Sequence, residues 1–197
     1  MRESVKSGSI SVILLAAGGS SRFGRPKQLL KIGTTSLIRK LADEALACRA
    51  NEVIVVVGAE ADKIRKELEG LDLRIVENKN WETGLSSSIK VGVKAAGHCD
   101  GALLMLCDQP YTGRYLLNEI IDRFQSTEAP AVASEYGQTV GVPALISKSL
   151  FPELLKLRGD SGAKSILLNQ KEKLERVSFP KGAVDIDTSG DLEALPR

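Results

Sequence analysis

Four short stretches of the chain are apolar at consecutive positions instead of alternating: Ser9–Ala17, Val53–Val57, Leu73–Val76 and Gly101–Leu106. Runs that are apolar on both faces belong to strands buried in a parallel sheet. Between them the apolar positions repeat at the helical period. Ser36–Arg49 sets Leu37, Ile38, Leu41, Ala42, Ala45 and Leu46 on one stripe, and Glu60–Leu68 is a short charged amphipathic segment. Ser86–Ala96 offers Ile89, Val93 and Ala96, and Thr112–Ser126 repeats Leu116, Leu117, Ile120, Ile121 and Phe124. This alternation predicts a three-layer α/β fold with a mostly parallel, Rossmann-like sheet and right-handed crossovers. After residue 126 the pattern changes. Ala131–Ser134 and Val142–Ile146 read as short strands around a Tyr136-Gly137-Gln138 turn, with helices over Lys148–Leu157 and Ala163–Gln170 and a strand over Leu174–Ser178. Val184–Thr188 reads as a strand end, and Asp191 as the start of a last helix. No linker, repeat or low-complexity stretch interrupts the chain, so residues 1–197 are expected to form a single domain.

Composition narrows the chemistry. Twenty-seven Lys and Arg against 25 Asp and Glu leave a net charge of +2, which gives no basic field for nucleic acid. The longest apolar run falls far short of the roughly 20 residues a membrane span needs. The first residues carry no secretory pattern, and three cysteines (Cys48, Cys99, Cys107) without a C-x-x-C pair suit a reduced compartment, so a cytoplasmic location is expected. The single histidine, His98, lies in Ala96-Gly97-His98-Cys99-Asp100, which reads as an exposed loop. Histidine-dependent triads and multi-histidine metal sites are therefore excluded or strongly disfavoured.

In open parallel sheets ligands bind beyond the carboxyl ends of strands. The richest loop of that kind here is Leu15-Ala16-Ala17-Gly18-Gly19-Ser20-Ser21-Arg22-Phe23-Gly24-Arg25-Pro26-Lys27. It is not a Walker A loop, because Arg25-Pro26 stands where Lys-Ser/Thr is required, and it lacks the second glycine of G-x-G-x-x-G. It still has phosphate-binding physics: Gly18 and Gly19 would let backbone N–H groups turn toward an anion as a nest, and Arg22, Arg25 and Lys27 supply cations. A triphosphate-binding loop is expected. A second site follows Leu104-Met105-Leu106, where Cys107-Asp108-Gln109-Pro110 runs from an apolar strand into an acid. A carboxylate at that strand end suits Mg²⁺, with Thr112 rather than Asp108 expected to cap the next helix. Asp187, or less favourably Asp185, could supply a second carboxylate.

These motifs together resemble a known family. Leu15-Ala16-Ala17-Gly18-x-Ser20-x-Arg22-Phe23-Gly24-x-x-Lys27 is similar to the signature loop of nucleotidyltransferases with a GT-A-like fold. The resemblance is strongest to the molybdenum cofactor cytidylyltransferase branch of the MobA-like NTP transferases. Asn78-x-x-Trp81-x-x-Gly84-Leu85-Ser86-Ser87-Ser88-Ile89, Cys107-Asp108-Gln109-Pro110, Gly159-Asp160-x-Gly162-Ala163-Lys164 and Asp185-Ile186-Asp187-Thr188-x-x-Asp191-Leu192 extend it through nearly the whole chain. The resemblance implies transfer of CMP from CTP to the terminal phosphate of molybdopterin or its molybdenum-loaded form, with Mg²⁺ as cofactor and pyrophosphate as the leaving group. It implies a nucleotide held by Leu15, Ala16, Ala17, Gly18, Gly19, Ser20, Arg22 and Lys27. Asp108 and Asp187 would hold the metal, Lys27, Arg22 and Asp108 would carry catalysis, and Asn78 and Ser86 would contact ribose or base. It further implies a molybdenum hydroxylase, or its maturation protein, as a partner. Ala16-Ala17-Gly18 is similar to the cytidylyl members, where guanylyl members read Ala-Gly-Gly. Val142 stands where relatives often carry histidine, which bears on the acceptor alone.

Other readings of the same residues are a GTP-using or other small-molecule nucleotidyltransferase, a non-catalytic molybdopterin-binding maturation protein, and an NAD(P)H oxidoreductase that reuses the fold. Retention of Lys27 and Asp108 favours catalysis over carriage. Fold analogy by itself does not fix function.

Overall fold

The structure is a computed structural model that describes residues 8–19, 24 and 26–184. Its strands are β1 (Ile10–Ala16), β2 (Lys31–Ile32), β3 (Thr35–Ser36), β4 (Glu52–Val57), β5 (Arg74–Glu77), β6 (Gly101–Leu106), β7 (Ala131–Tyr136), β8 (Thr139–Ser147) and β9 (Leu174–Ser178). Its helices are α1 (Leu37–Leu46), α2 (Ala61–Glu67), α3 (Leu85–Ala96), α4 (Arg114–Ser126), α5 (Phe151–Leu154) and α6 (Lys164–Asn169). Seven strands form one sheet in the order β5-β4-β1-β6-β8-β7-β9. The β5-β4-β1-β6 half is parallel throughout. β8 runs antiparallel to β6 and β7, and β9 returns parallel to β7. The expected three-layer, mostly parallel architecture is therefore present, with one antiparallel strand inserted.

The unbroken apolar runs are explained by layering. β1 is buried at every position and alternates its side chains between two cores. Val12, Leu14 and Ala16 join Val53, Val55, Leu103 and Met105 beneath α1, α2 and α4. Ile13 and Leu15 join Ile54, Val56 and Leu104 beneath α3, α5 and α6. Both faces of the strand are covered, so period-two alternation is absent from its sequence. No helix among the described residues is long and apolar enough to cross a membrane.

Local chemistry sets several boundaries. The Ser36 side chain caps α1 by accepting from the Arg39 N–H at 3.4 Å. Gly84, at φ 103°, opens α3, and an added Cβ there would come within 2.5 Å of the Gly159 carbonyl oxygen, so only glycine fits on either count. Sequence periodicity overextends other elements. The helix expected over residues 148–157 is a 3₁₀ turn followed by the four-residue α5, because Pro152 favours a helix start and the chain turns at Leu155 and Lys156. The expected Thr112 cap is also corrected. Gly113 precedes α4 with no side-chain cap, and the Thr112 hydroxyl is buried with no partner among the described residues. The β2–β3 hairpin was not anticipated, being only two residues on each side. The strand end and helix expected beyond Val184 lie outside the described residues.

Where α3 crosses β1, an added Cβ on Gly92 would collide with Ile13 Cγ2 and stand 3.2 Å from Val56 Cγ2. Gly92→Ala should therefore destabilise the fold by about 1–3 kcal/mol, despite a helix-propensity gain of about 1 kcal/mol. Urea unfolding checks this; an unchanged midpoint would mean that α3 can lift from the sheet at no cost.

Candidate active site

The sheet places the two candidate loops side by side. β1 lies between β4 and β6, with Leu15 opposite Leu106 and Ala16 opposite Val57. The loop after β1 and the turn after β6 thus leave the same edge of the sheet. They meet in a cavity of about 200 Å³ lined by Leu15, Ala17, Gly18, Lys27, Gln28, Leu85, Ser88, Leu106, Cys107 and Asp108. Of the expected site residues, Leu15, Ala17, Gly18, Lys27 and Asp108 are brought together here.

The backbone of the first loop is held by its carbonyls. The Leu15 carbonyl accepts from the Cys107 N–H (3.2 Å), and that of Ala17 from the Ala59 N–H (3.0 Å). The Ala16 and Gly18 carbonyls accept from one group, Nε2 of Gln28, at 2.9 and 2.7 Å. Four successive carbonyls are therefore bound to protein donors. Gly18 and Gly19 do not use left-handed backbone, which corrects the expected nest at these two residues. Gly18 instead leaves open space over the chain. Gly19 admits Trp81, whose Cη2 would lie 2.9 Å from a Cβ at that position. Gly58 does the same from the other side, where a Cβ would stand 2.7 Å from Trp81 Cβ and 2.8 Å from the Ala17 oxygen. Ala16 is buried in the core.

The second loop is fixed as firmly. Asp108 is half-buried, with its Oδ1 sealed from solvent. Lys40 Nζ donates to the Pro110 carbonyl at 2.9 Å, and Gln109, 2% exposed, donates through Nε2 to the Gly182 carbonyl at 3.1 Å. Lys181 lies over the Tyr111 ring, 5.0 Å from its centroid. The last two contacts clip residues 181–182 to the turn that carries Asp108. Burial, and then the Asp108 charge, pushes the Cys107 thiol far above its usual range, so a neutral thiol lines the cavity and offers no soft thiolate ligand.

Asn78 and Ser86 lie elsewhere. Both line a neighbouring depression of about 390 Å³ beside the start of α3, with Lys90, Lys94 and Arg158 on its wall. Asn78 is buried, and its Nδ2 donates to the hydroxyls of Ser87 (2.7 Å) and Ser88 (3.0 Å), while its Oδ1 accepts from the Asn80 N–H (3.0 Å). Its side chain is thus occupied in holding the approach to α3. His98 is exposed in its loop, and Val142 is half-buried against the α3-side core without lining the cavity. Ser20, Arg22 and Asp187 lie outside the described residues. Ser88 and Gln109 stand within the motifs quoted above without a role assigned to them, and Gln28 stands in none. For Gln28 the signal is polarity next to Lys27, which sequence spacing cannot separate from an ordinary surface residue.

The donor set fits a hard divalent cation. Among the described residues no cluster of three His, Cys, Asp or Glu side chains could hold a metal by itself. One carboxylate facing a phosphate-binding loop is, however, what Mg²⁺ commonly uses, its remaining positions filled by water and substrate phosphate.

Comparison with known proteins agrees with this geometry. Residues 12–175 match the MobA-like NTP transferase domain. The chain is 32% identical to nicotine blue oxidoreductase of Paenarthrobacter nicotinovorans, over 94% of this chain and 96% of that protein. It is 30% identical to purine catabolism protein PucB of Bacillus subtilis, over 94% and 95%. The crystal structure of Rv0371c from Mycobacterium tuberculosis superposes with a TM-score of 0.82 at 26% identity, covering 96% of this chain and 98% of that one. A manganese complex of Rv0371c superposes at 0.76 and 28% identity, over 95% and 97%. With the match running through the sheet and both sides of the cavity, the chain belongs to the MobA-like NTP transferase family and is a nucleotidyltransferase enzyme.

Proposed function

We propose that the chain transfers CMP from CTP to the terminal phosphate of molybdopterin, molybdenum-loaded or not, and releases pyrophosphate. The observation that carries this reading is the convergence on one cavity of Gly18, Lys27 and Asp108, with the neighbouring loop carbonyls bound to other donors. A polyanion entering there meets backbone N–H groups and an ammonium instead of carbonyl oxygens. The CTP preference rests on the likeness of Ala16-Ala17-Gly18 to the cytidylyl members, and the pterin acceptor on the family resemblance.

In this reading Lys27 and the loop N–H groups bind the triphosphate, with Ser20 and Arg22 adding to the same grip. Asp108 and Asp187 would hold Mg²⁺, which when bound would supply neutralisation of the substrate's phosphate charge. Asn78 and Ser86 hold the nucleoside side of the site through the start of α3. The acceptor phosphate attacks the α-phosphorus in line, forming one P–O bond as the bond to pyrophosphate breaks, and Lys27 compensates the charge that accumulates on the leaving group. No general base is required, since a phosphate monoester with a second pKa of about 6 is already ionised at neutral pH. That agrees with a cavity free of histidine among its described walls. A molybdenum hydroxylase or its maturation protein would receive the product.

Calorimetry with CTP, GTP, ATP, UTP and NADH, each with and without Mg²⁺, tests the reading. Selective, Mg²⁺-assisted CTP binding is expected; a GTP preference would move the product to a guanine dinucleotide. Binding of NADH alone would point to redox chemistry of the kind named in one relative. In a pyrophosphate-release assay with molybdopterin, Lys27→Ala should lower turnover by ~10² or more. Asp108→Asn should lose the Mg²⁺ response while keeping its melting temperature, and a retained response would place the ion elsewhere. Trp81, the sole tryptophan, packs against the loop at Gly19, so its fluorescence should change on saturation with the bound nucleotide.

A further inference from the structure

Gln28 stands beside the residue expected to do the chemistry, and it is only 4% exposed. Its amide nitrogen donates both hydrogens to one short stretch of backbone, to the carbonyls of Ala16 (2.9 Å) and Gly18 (2.7 Å). Two carbonyl oxygens around one end of a carboxamide require the nitrogen there, because the oxygen end would be repelled. In a trans peptide the C=O and the following N–H point in opposite directions. Fixing the oxygens of Ala16 and Gly18 toward Gln28 therefore turns the N–H groups of Ala17 and Gly19 away from it. The glycines supply no left-handed backbone that would set this orientation, so the side chain must.

We propose that Gln28 is the positioning residue of the phosphate loop: its carboxamide holds the Ala16 and Gly18 carbonyls back, so that the loop presents N–H groups to an incoming polyphosphate. This rests on the nucleotidyltransferase reading for its ligand, but the brace itself exists without one. The primary amide matters because it carries two hydrogens on one atom. A glutamate of the same shape carries none when ionised and one when protonated. A methionine fills the same volume and carries none at any pH.

The test compares wild-type chain with Gln28→Glu and Gln28→Met, each checked for an unchanged melting transition. Without nucleotide, ¹⁵N relaxation at Ala17, Gly18 and Gly19 should give order parameters falling from rigid values of about 0.85 toward about 0.6 in both variants. Calorimetry with CTP and Mg²⁺, or GTP if that is the nucleotide bound, should show affinity weakened ~10-fold or more, from the loss of two hydrogen bonds. Between about pH 8 and about pH 6, Gln28→Glu should recover part of that loss relative to wild type, as a carboxyl among carbonyls takes up a proton. Lys27 and Asp108, which share the cavity, are common to all three proteins, and Gln28→Met should show no recovery. Wild-type order parameters in both variants, or wild-type nucleotide affinity in Gln28→Glu at about pH 8, would overturn the brace. If the wild-type chain binds no nucleoside triphosphate while the variants' loops loosen, the nucleotide reading fails and the brace stands.

Discussion

Parallel pairing of β1 between β4 and β6 is the constraint on which the site depends. Strand ends that are remote in sequence become neighbours only because Leu15 faces Leu106 and Ala16 faces Val57. A parallel ladder aligns carboxyl ends, so both loops leave from one edge and their polar groups are delivered to a common cavity. The same pairing supplies two of the three donor groups to the first loop: the Cys107 N–H comes from just past β6, and the Ala59 N–H from just past β4. Burial of both faces of β1 makes a register slip costly, since each side chain would then lose its core.

The fold was readable where burial dictates composition. β1, β4 and β6 announce themselves as continuous apolar runs, and α4 as a repeat of Leu117, Ile120, Ile121 and Phe124, all of which are buried. Elements that depend on a few backbone bonds were not readable. The β2–β3 hairpin has two residues per strand, and α5 has four, too few for any period to show. At the site, Lys27 and Asp108 were legible because charge at a strand's carboxyl end is chemically conspicuous. Asn78 was legible as important, but its partners were not: its carboxamide turns inward to Ser87 and Ser88. Gly18 and Gly19 are conspicuous in the sequence as a pair, but nothing in a sequence reveals that Trp81 lies against Gly19.

Two glutamines do similar work in the two loops. Gln28 follows Lys27 and Gln109 follows Asp108; each is buried, and each directs its amide nitrogen to backbone carbonyls. A carboxamide suits this position because it bonds strongly to backbone without adding a second charge beside the functional one. Each charged residue thus sits beside a side chain that ties its own segment to the backbone of another.

The contact of Trp81 with Gly19 and Gly58 has a consequence for how this sequence can vary. The Trp81 side chain occupies the space that side chains at both positions would need, with its ring at Gly19 and its Cβ at Gly58, and Gly58 is confined further by the Ala17 oxygen. Substitutions at the three positions cannot then be judged singly. A residue larger than glycine at position 19 becomes admissible once position 81 holds something smaller, whereas at position 58 the backbone obstacle persists whatever stands at 81. Drift in the first loop is thus conditional on the residue at 81, and the order in which such changes are accepted is set by steric precedence.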